Sequence, residues 1–435
     1  MSGRRVAIHT LGCKVNAYDT ATLGEHLQRA GCTLVGPDDV ADVVIVNTCT
    51  VTDAADAESR RLARRARRRN PSARLILTGC YAQTKPAEVA RIEIIDHVIG
   101  INRVDEIVRA AVDGANRPRV SVRDVRRERT IDSFGARTFG GHTRAFLKVQ
   151  EGCDLFCTFC IVPMARGRSR SLSPRTVLAE MEALAARGFE EVVLTGVHLG
   201  AYGEDLDSPT TLTWLLEALI EQALVPRIRL SSVDPHEVTE SLVRTMRAAD
   251  AVCPHLHVPL QAGDDRTLRR MRRRYDTALA HERLEMIREL LPDASIGTDL
   301  IAGFPGEDAA AFERTTEFIA RAPITYAHVF PYSVRSGTTA AKLDGHLSPS
   351  VVRARARALR ELMERKTHRF RRLFDGTQGE VLVETSRDGR TGALRGYTRN
   401  YLRAELNGPD ALMGRRTPVV LRIAGDGSVH ADVST

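Results

Sequence analysis

Apolar residues come in short runs from the start of the chain, separated by stretches with helical spacing. Residues 5–10, 43–47 and 74–78 are β-branched or apolar and end at turn residues, while residues 18–30 and 53–70 carry helical periodicity. That alternation predicts a parallel sheet covered by helices. A second alternating block follows, with strand patterns at 145–149, 191–195, 227–231, 255–258, 295–301 and 326–331. Helical patterns separate them at 174–187, 212–222, 237–249, 277–291 and 309–322. Six such units without a dinucleotide-binding fingerprint predict an open, partial barrel, whose chemistry gathers at the C-terminal ends of its strands. A basic helix over 350–374 comes next, then short strands at 379–385, 392–398, 401–406 and 416–423 and a final one, joined by glycine-rich turns. They predict a small all-β barrel.

The expected fold class is therefore α/β, in three parts: a parallel α/β domain (1–115), a partial (βα)6 barrel with its basic helix (143–375) and a terminal β-barrel (376–435). Residues 116–142 are charged and poor in large apolar groups, and are read as a linker.

At 435 residues the chain can bury several cores without disulfides. Its 43% hydrophobic and 27% charged content is ordinary for a soluble globular protein. No apolar run approaches the roughly 20 residues of a membrane span, and the opening MSGRRVAIHTLG does not read as a signal peptide. A cytoplasmic location is expected, where cysteines serve more often as ligands or catalysts than as disulfide partners. The net charge of +8 favours a polyanion such as nucleic acid. The clue is discounted, because 58 arginines against five lysines point to a coding bias.

The cysteines narrow the chemistry. Cys153, Cys157 and Cys160 form C-x3-C-x2-C just after the first expected barrel strand. Closely spaced thiolates in a loop can wrap an iron–sulfur cluster. Three ligands leave one iron of a four-iron cluster open, as catalysis requires, whereas structural zinc sites close with four. A zinc loop completed by a distant ligand is the alternative, but no paired CxxC or HxxxH lies downstream. Cys13, Cys49 and Cys80 each fall one to three residues beyond an expected strand of the first sheet. C-terminal strand ends of a parallel sheet share one edge, so the three are expected to converge on a second cluster. Cys32 and Cys253 fit neither triplet and are read as core residues.

With these residues in view, the chain resembles the methylthiotransferase family of radical S-adenosylmethionine (SAM) enzymes over nearly its whole length. The blocks HTLGCKVNAYDT, NTCTVTDAADAESRRLARRARRRNP and TGCYAQTKPAEVA resemble the branch acting on N6-threonylcarbamoyladenosine, next to the tRNA anticodon. So do QEGCDLFCTFCIVPMARGRSRS, LTGVHLGAYGEDL, HLHVPLQAGDD, GTDLIAGFPGE and HVFPYSVRSGT. LRGYTRNYLRAEL resembles the RNA-binding TRAM domain.

The resemblance implies two 4Fe–4S clusters and two SAM molecules per product. The Cys13/Cys49/Cys80 cluster would carry sulfur to be methylated by one SAM. The Cys153/Cys157/Cys160 cluster would cleave the other to a radical that removes hydrogen from adenine C2. An aromatic C–H offers no acidic proton, so cofactor-made radical chemistry is needed. Thr195 and Gly196 are implied near the SAM amino group, Gly303, Pro305 and Gly306 near its adenosyl part, and Phe159 on its adenine. For RNA the candidates are Arg64 and Arg68 in an arginine run, Arg273, the basic helix, and Tyr397 and Tyr401 on the terminal barrel. His198, His236, His255, His257 and His328 lack metal-site spacing and are read as structural or generic pocket residues. Expected partners are a tRNA anticodon stem-loop and a flavodoxin- or ferredoxin-type electron donor, with no membrane. The competing readings are a methylthiotransferase for isopentenyl-adenosine or for a ribosomal-protein aspartate, and a non-enzymatic iron–sulfur RNA-binding protein.

Overall fold

The computed structural model describes residues 3–113, 119–131, 135 and 139–434. The chain begins with β1 (Arg5–Thr10), β2 (Thr33–Val35), β3 (Val43–Thr48), β4 (Arg74–Gly79), β5 (His97–Ile99) and β6 (Val120–Ser121). They form one wholly parallel sheet in the order β2-β1-β3-β4-β5-β6. Every residue of β3 is buried, as a central strand covered on both faces must be. On one face Val6, Val43, Ile45 and Ile76 pack with α1 (Lys14–Arg29) and α5 (Val104–Asp113). On the other, Val44, Val46, Leu75 and Leu77 meet α2 (Asp53–Arg69), α3 (Cys80–Thr84) and α4 (Pro86–Ala90). The strand order reverses between β1 and β3, and such switch points open a crevice at the C-terminal edge.

Parts of the segment expected as a linker, 116–118, 132–134 and 136–138, lie outside the described residues. Its described part adds β6 to the sheet edge, buries Val125 and sets Phe139 edge-to-face on Phe146 and Phe189, at 5.8 Å each.

The second unit contains β7 (Ala145–Lys148), the short pair β8 (Gln150–Glu151) and β9 (Arg170–Ser171), then β10 (Glu191–Thr195), β11 (Arg227–Leu230), β12 (His255–His257), β13 (Ser295–Ala302) and β14 (Tyr326–Pro331). Parallel pairing gives β7-β10-β11 and β12-β13-β14, and a parallel bridge from Ser232 to His257 joins the two into an open six-stranded arc. After α6 (Val162–Arg166) come the arc's own helices, α7 (Pro174–Ala185), α8 (Leu212–Gln222), α9 (Glu240–Ala248), α10 (Asp265–Arg270), α11 (Thr277–Leu290) and α12 (Ala309–Arg321). Ser173, Thr211, Thr239, Asp264, Asp276 and Asp308 cap α7 to α12 by accepting from backbone N–H groups of the first turn. Ile228, Leu256, Ile296, Leu300 and Val329 turn toward the common core.

A 24-residue helix, α13 (Pro349–Arg372), leads to β15 (Gln378–Val383), β16 (Leu394–Thr398), β17 (Arg403–Leu406), β18 (Arg416–Ile423) and β19 (Val429–Val433). These close into a five-stranded barrel. It docks at the N-terminal ends of the arc's strands: Arg229 donates to the Arg399 carbonyl at 2.9 Å, and Asn400 to the Asp293 carbonyl at 3.3 Å. The opposite, C-terminal end of the arc is left for the cysteines. No described helix is long and apolar enough to cross a membrane.

Candidate metal centres at the domain junction

Cys13, Cys49 and Cys80 all lie at the C-terminal edge of three adjacent strands. Thr10 is in register with Asn47, and Asn47 with Thr78, so the loops that follow start level. Cys13 is the N-cap of α1, Cys49 follows β3, and Cys80 opens α3. Gly12 has φ +105°, and a Cβ there would stand 3.2 Å from the Cys49 sulfur. Only glycine allows the Cys13 loop that approach. Asn16 ties the loops together by donating to the Leu11 carbonyl at 2.7 Å and the Thr48 carbonyl at 3.0 Å.

The second triplet lies in the loop between β8 and α6. Gly152, at φ +76°, brings its backbone against the Arg168 carbonyl, and the Cys153 N–H donates to the Gly167 carbonyl at 3.1 Å. Backbone N–H groups of Leu155 and Val162 point at the sulfurs of Cys153 and Cys160, at 3.5 and 3.4 Å. Arg273 donates to the Cys157 sulfur at 3.1 Å. Donors aimed at sulfur, three thiols in each set and no carboxylate among them fit an iron–sulfur cluster with an open iron. Burial pushes the thiols of Cys80 and Cys160 up to about 12. Such thiols stay protonated until a metal ion deprotonates them by coordination.

Arg166 joins the two centres. This buried guanidinium stands at the end of α6, just past Cys160. One nitrogen donates to Glu151 at 2.6 Å and the other to Asn16 at 2.6 Å and Asp19 at 2.8 Å. Its charge also favours the Cys80 thiolate, against the effect of burial. Lys148 pairs with Asp19 at 2.7 Å and with Glu151 at 3.0 Å. Burial would raise the Glu151 carboxyl, but the charges of Lys148 and Arg166 outweigh it and hold it below the ordinary range. A second tie is Arg335, which reaches Asp56 at 2.9 Å, Thr50 at 2.6 Å and Asp53. Beside Cys160 is a cavity of about 180 Å³ lined by Phe159, Asp299, Tyr332 and, from the loop after Cys49 in the first domain, Val51 and Thr52.

The remaining expected residues fall in different places. Phe159 lines that cavity and meets Phe304 edge-to-face at 6.5 Å. Thr195 is buried at the end of β10, and Gly196 abuts Gln150, whose amide donates to the Gly152 carbonyl at 2.8 Å. Gly303, Pro305 and Gly306 are packed against Val352, Arg270 and Gly345 and do not line the cavity. Arg64 and Arg68 are exposed on α2 and make no ion pair among the described residues, whereas Arg60, Arg61, Arg65, Arg67 and Arg69 are paired. Arg273 is a correction. Expected on an RNA-facing surface, its side chain is buried, paired with Asp234 at 2.6 Å and directed at Cys157. Tyr397 and Tyr401 stack at 4.8 Å in the seam below the arc, with Arg144 over Tyr397 at 4.4 Å and Arg229 over Tyr401 at 4.9 Å. Their faces are thus covered by protein cations.

Asn16, Asp19, Lys148, Glu151 and Arg166 were not anticipated. Scarcity of lysine was the available signal, since two of only five stand at this junction, Lys14 and Lys148.

A three-cysteine loop at the C-terminal mouth of an open (βα)6 arc defines a radical SAM enzyme. The Radical SAM superfamily model matches residues 147–319, and the model described as Uncharacterized protein family UPF0004 matches residues 5–100. The threonylcarbamoyladenosine tRNA methylthiotransferase MtaB of Bacillus subtilis (strain 168) is 36% identical, over 97% of this chain and 94% of the relative. That of Aquifex aeolicus (strain VF5) is 39% identical over 87% and 92%. The tRNA-2-methylthio-N(6)-dimethylallyladenosine synthase of Parafrankia sp. (strain EAN1pec) is 34% identical over 99% and 89%. Among solved structures, the radical SAM methyltransferase TsrM of Kitasatospora setae, with cobalamin and a 4Fe–4S cluster bound, shares the fold at TM-score 0.55 and 18% identity, over 76% of each chain. The chain belongs to the methylthiotransferase family of radical SAM enzymes and is a transferase.

Proposed function

We propose that the enzyme places a methylthio group on C2 of N6-threonylcarbamoyladenosine beside the anticodon of tRNA. The observation that carries the reading is the shared cavity, walled on one side by Cys160 and on the other by the residues just after Cys49. The second triplet thereby opens on a space that the loop after Cys49 also lines, and in this reading a group held at the first centre meets there a base attacked at the second. The choice of base is supported by full-length relatives named for threonylcarbamoyladenosine at 36–39% identity.

In this reading Cys13, Cys49 and Cys80 hold one 4Fe–4S cluster, and Cys153, Cys157 and Cys160 hold the other. When bound, the clusters and two SAM molecules supply the sulfur, the methyl group and the radical chemistry. The chain's own part is positional. Arg166, Lys148 and Glu151 fix the ligand loops relative to each other, and buried charge networks of this kind have few alternative arrangements. Arg273 orients Cys157. Phe159, Ile301 and Tyr332 wall the cavity and keep water from a reactive species. Phe159, Thr195 and Gly196 contact SAM. Arg64, Arg68 and the terminal barrel hold the anticodon stem-loop. A flavodoxin- or ferredoxin-type protein of the cytoplasm, where tRNA resides, delivers the electrons.

Nucleoside mass spectrometry of tRNA from cells with and without the gene tests the reading. Loss of the methylthio nucleoside with accumulation of N6-threonylcarbamoyladenosine is expected, and Cys157→Ala should not restore it. An unchanged nucleoside, or loss of the methylthio group from isopentenyl-adenosine instead, overturns the substrate.

A further inference from the structure

The interior of the arc is polar, and three of its side chains form a group of metal-ligating type. Alternation along the strands turns Leu256, Ile296, Leu300 and Val329 to the apolar core, and so turns His257, Asp299 and His328 to the opposite, inner face. Register brings the three together. Asp299 is the direct partner of His328 across β13 and β14, and His257 pairs with Gly297, two positions before Asp299 on the same face. One ligand-type atom from each lies within 4.8 Å of the others, and His257 Nε2 stands 3.1 Å from an Asp299 oxygen. No local spacing announces the group, because each member comes from a different strand.

The surrounding atoms suit a cation. Gly297 leaves room for the Tyr326 ring, which a Cβ there would run into. Tyr326 Oη lies 3.3 Å from His257 Nδ1 and 2.8 Å from His255 Nε2. It can accept the Nδ1 proton of His257 while donating its own to His255, and that tautomer leaves the lone pair of His257 Nε2 facing the carboxylate. Two electron pairs 3.1 Å apart repel unless a cation lies between them. Donors in adjacent positions around an octahedral ion, each at about 2.2 Å, stand about 3.1 Å apart. A hydrogen bond from the far nitrogen of an imidazole is also what orients such ligands. A bridging proton instead of a metal ion would need His257 and Asp299 alone, and gives His328 no part.

We infer that His257, Asp299 and His328 bind a divalent first-row cation, such as Mn²⁺ or Fe²⁺, with two imidazoles and a carboxylate on one side of it. Such a ligand set leaves open positions. Asp299 lines the cavity beside Cys160, as do Ile301 and Phe330, each two residues beyond a ligand on the same strand. The open positions therefore adjoin that cavity and suit an oxygen ligand from an anionic group held there. No cysteine takes part, so the site is separate from both triplets. The inference goes beyond the proposed reaction and does not depend on which base is modified.

Mn²⁺ is the probe, because it favours oxygen ligands and has little preference for thiolates. It is titrated into the reconstituted enzyme with its clusters oxidised, and bound ion is counted by electron paramagnetic resonance, with spin-echo modulation reporting imidazole nitrogen. The wild type should bind one Mn²⁺ per chain with nitrogen modulation. Tyr326→Phe should weaken binding by roughly tenfold to a hundredfold and keep the modulation, as loss of a group that supports a ligand does. Asp299→Asn and His328→Gln should each weaken it further, and His328→Gln should also reduce the modulation. His328 is exposed, so that variant keeps its fold, and iron content confirms that the clusters are intact. Mn²⁺ bound without nitrogen modulation, or bound equally well by His328→Gln, is an ion on surface carboxylates and overturns the site. No Mn²⁺ uptake by the loaded wild type overturns it as well and leaves His257 and Asp299 as an ordinary ion pair.

Discussion

Arg166→Met removes the guanidinium that holds the two halves of the site together while keeping an unbranched apolar stem. Three contacts disappear: Glu151 at 2.6 Å, Asn16 at 2.6 Å and Asp19 at 2.8 Å. Glu151 is fully buried and keeps only Lys148 at 3.0 Å and Arg170 at 4.0 Å. Breaking a buried pair from one side costs about 3–5 kcal/mol. The surviving Lys148 contact places this case near the lower end, about 3 kcal/mol. Urea unfolding of the metal-free protein measures it, followed by the fluorescence of Trp214, the sole tryptophan, on α8. Adding Glu151→Gln removes the stranded carboxylate, so the double variant should recover at least about 1 kcal/mol relative to additivity. Catalysis should divide as well: displacing the ligand loops by about 1 Å costs product formation on the order of a hundredfold, whereas SAM cleavage, which needs only the second triplet, falls much less. A cost under about 1 kcal/mol, strict additivity with Glu151→Gln, or equal losses in both reactions would refute the reasoning.

Arg335→Ala cuts the second tie, to Asp56, Thr50 and Asp53. Limited proteolysis should then cleave near 50–56 sooner than in the wild type, with the arc's own protection unchanged. Glu151 governs the acid limb of stability. Its folded pKa is lowered, so its contribution is complete above the ordinary carboxylate value near 4.5 and is lost as the pH falls toward the lowered value. Glu151→Gln should flatten that loss in urea midpoints taken from pH 6 downward. Arg64→Glu with Arg68→Glu should weaken binding to any tRNA and reduce the salt slope by roughly one per lost phosphate contact; an unchanged slope would place RNA elsewhere. Gly12→Val forces a side chain against Cys49 at a left-handed backbone position and should lower iron content, read by absorbance near the cluster bands, while Gly389→Ala, where a Cβ meets open space, should not.

The pattern of apolar runs located the long strands to within a residue or two. The run read at 74–78 is β4, Arg74–Gly79, and the run read at 326–331 matches β14. What escaped were β2, β5, β6, β8 and β9, of two or three residues each, too short to show any period. The helix expected at 18–30 starts at Lys14, because Cys13 caps it without a side-chain acceptor that could have signalled the start. Cysteine spacing made the two triplets legible, since register in a parallel sheet follows from strand order alone. The charged network did not show. Lys148, Glu151, Arg166 and Arg229 read like solvent-facing positions, and only the closure of the arc and the docking of the first domain bury them. Arg273 misled for the same reason: within an arginine run, no local feature separates the one that turns inward to Cys157.

The central claim is that two cysteine triplets serve one cavity, one cleaving SAM and the other furnishing the methylthio group. Its most direct test incubates the reconstituted enzyme with SAM, a reductant and an anticodon stem-loop bearing N6-threonylcarbamoyladenosine, then reads nucleosides and 5′-deoxyadenosine by mass spectrometry. The wild type should yield both the methylthio nucleoside and 5′-deoxyadenosine. The variant with Cys13, Cys49 and Cys80 all changed to alanine should still release 5′-deoxyadenosine but form no methylthio nucleoside. Methylthio product from that variant, or none from a fully loaded wild type, would contradict the account.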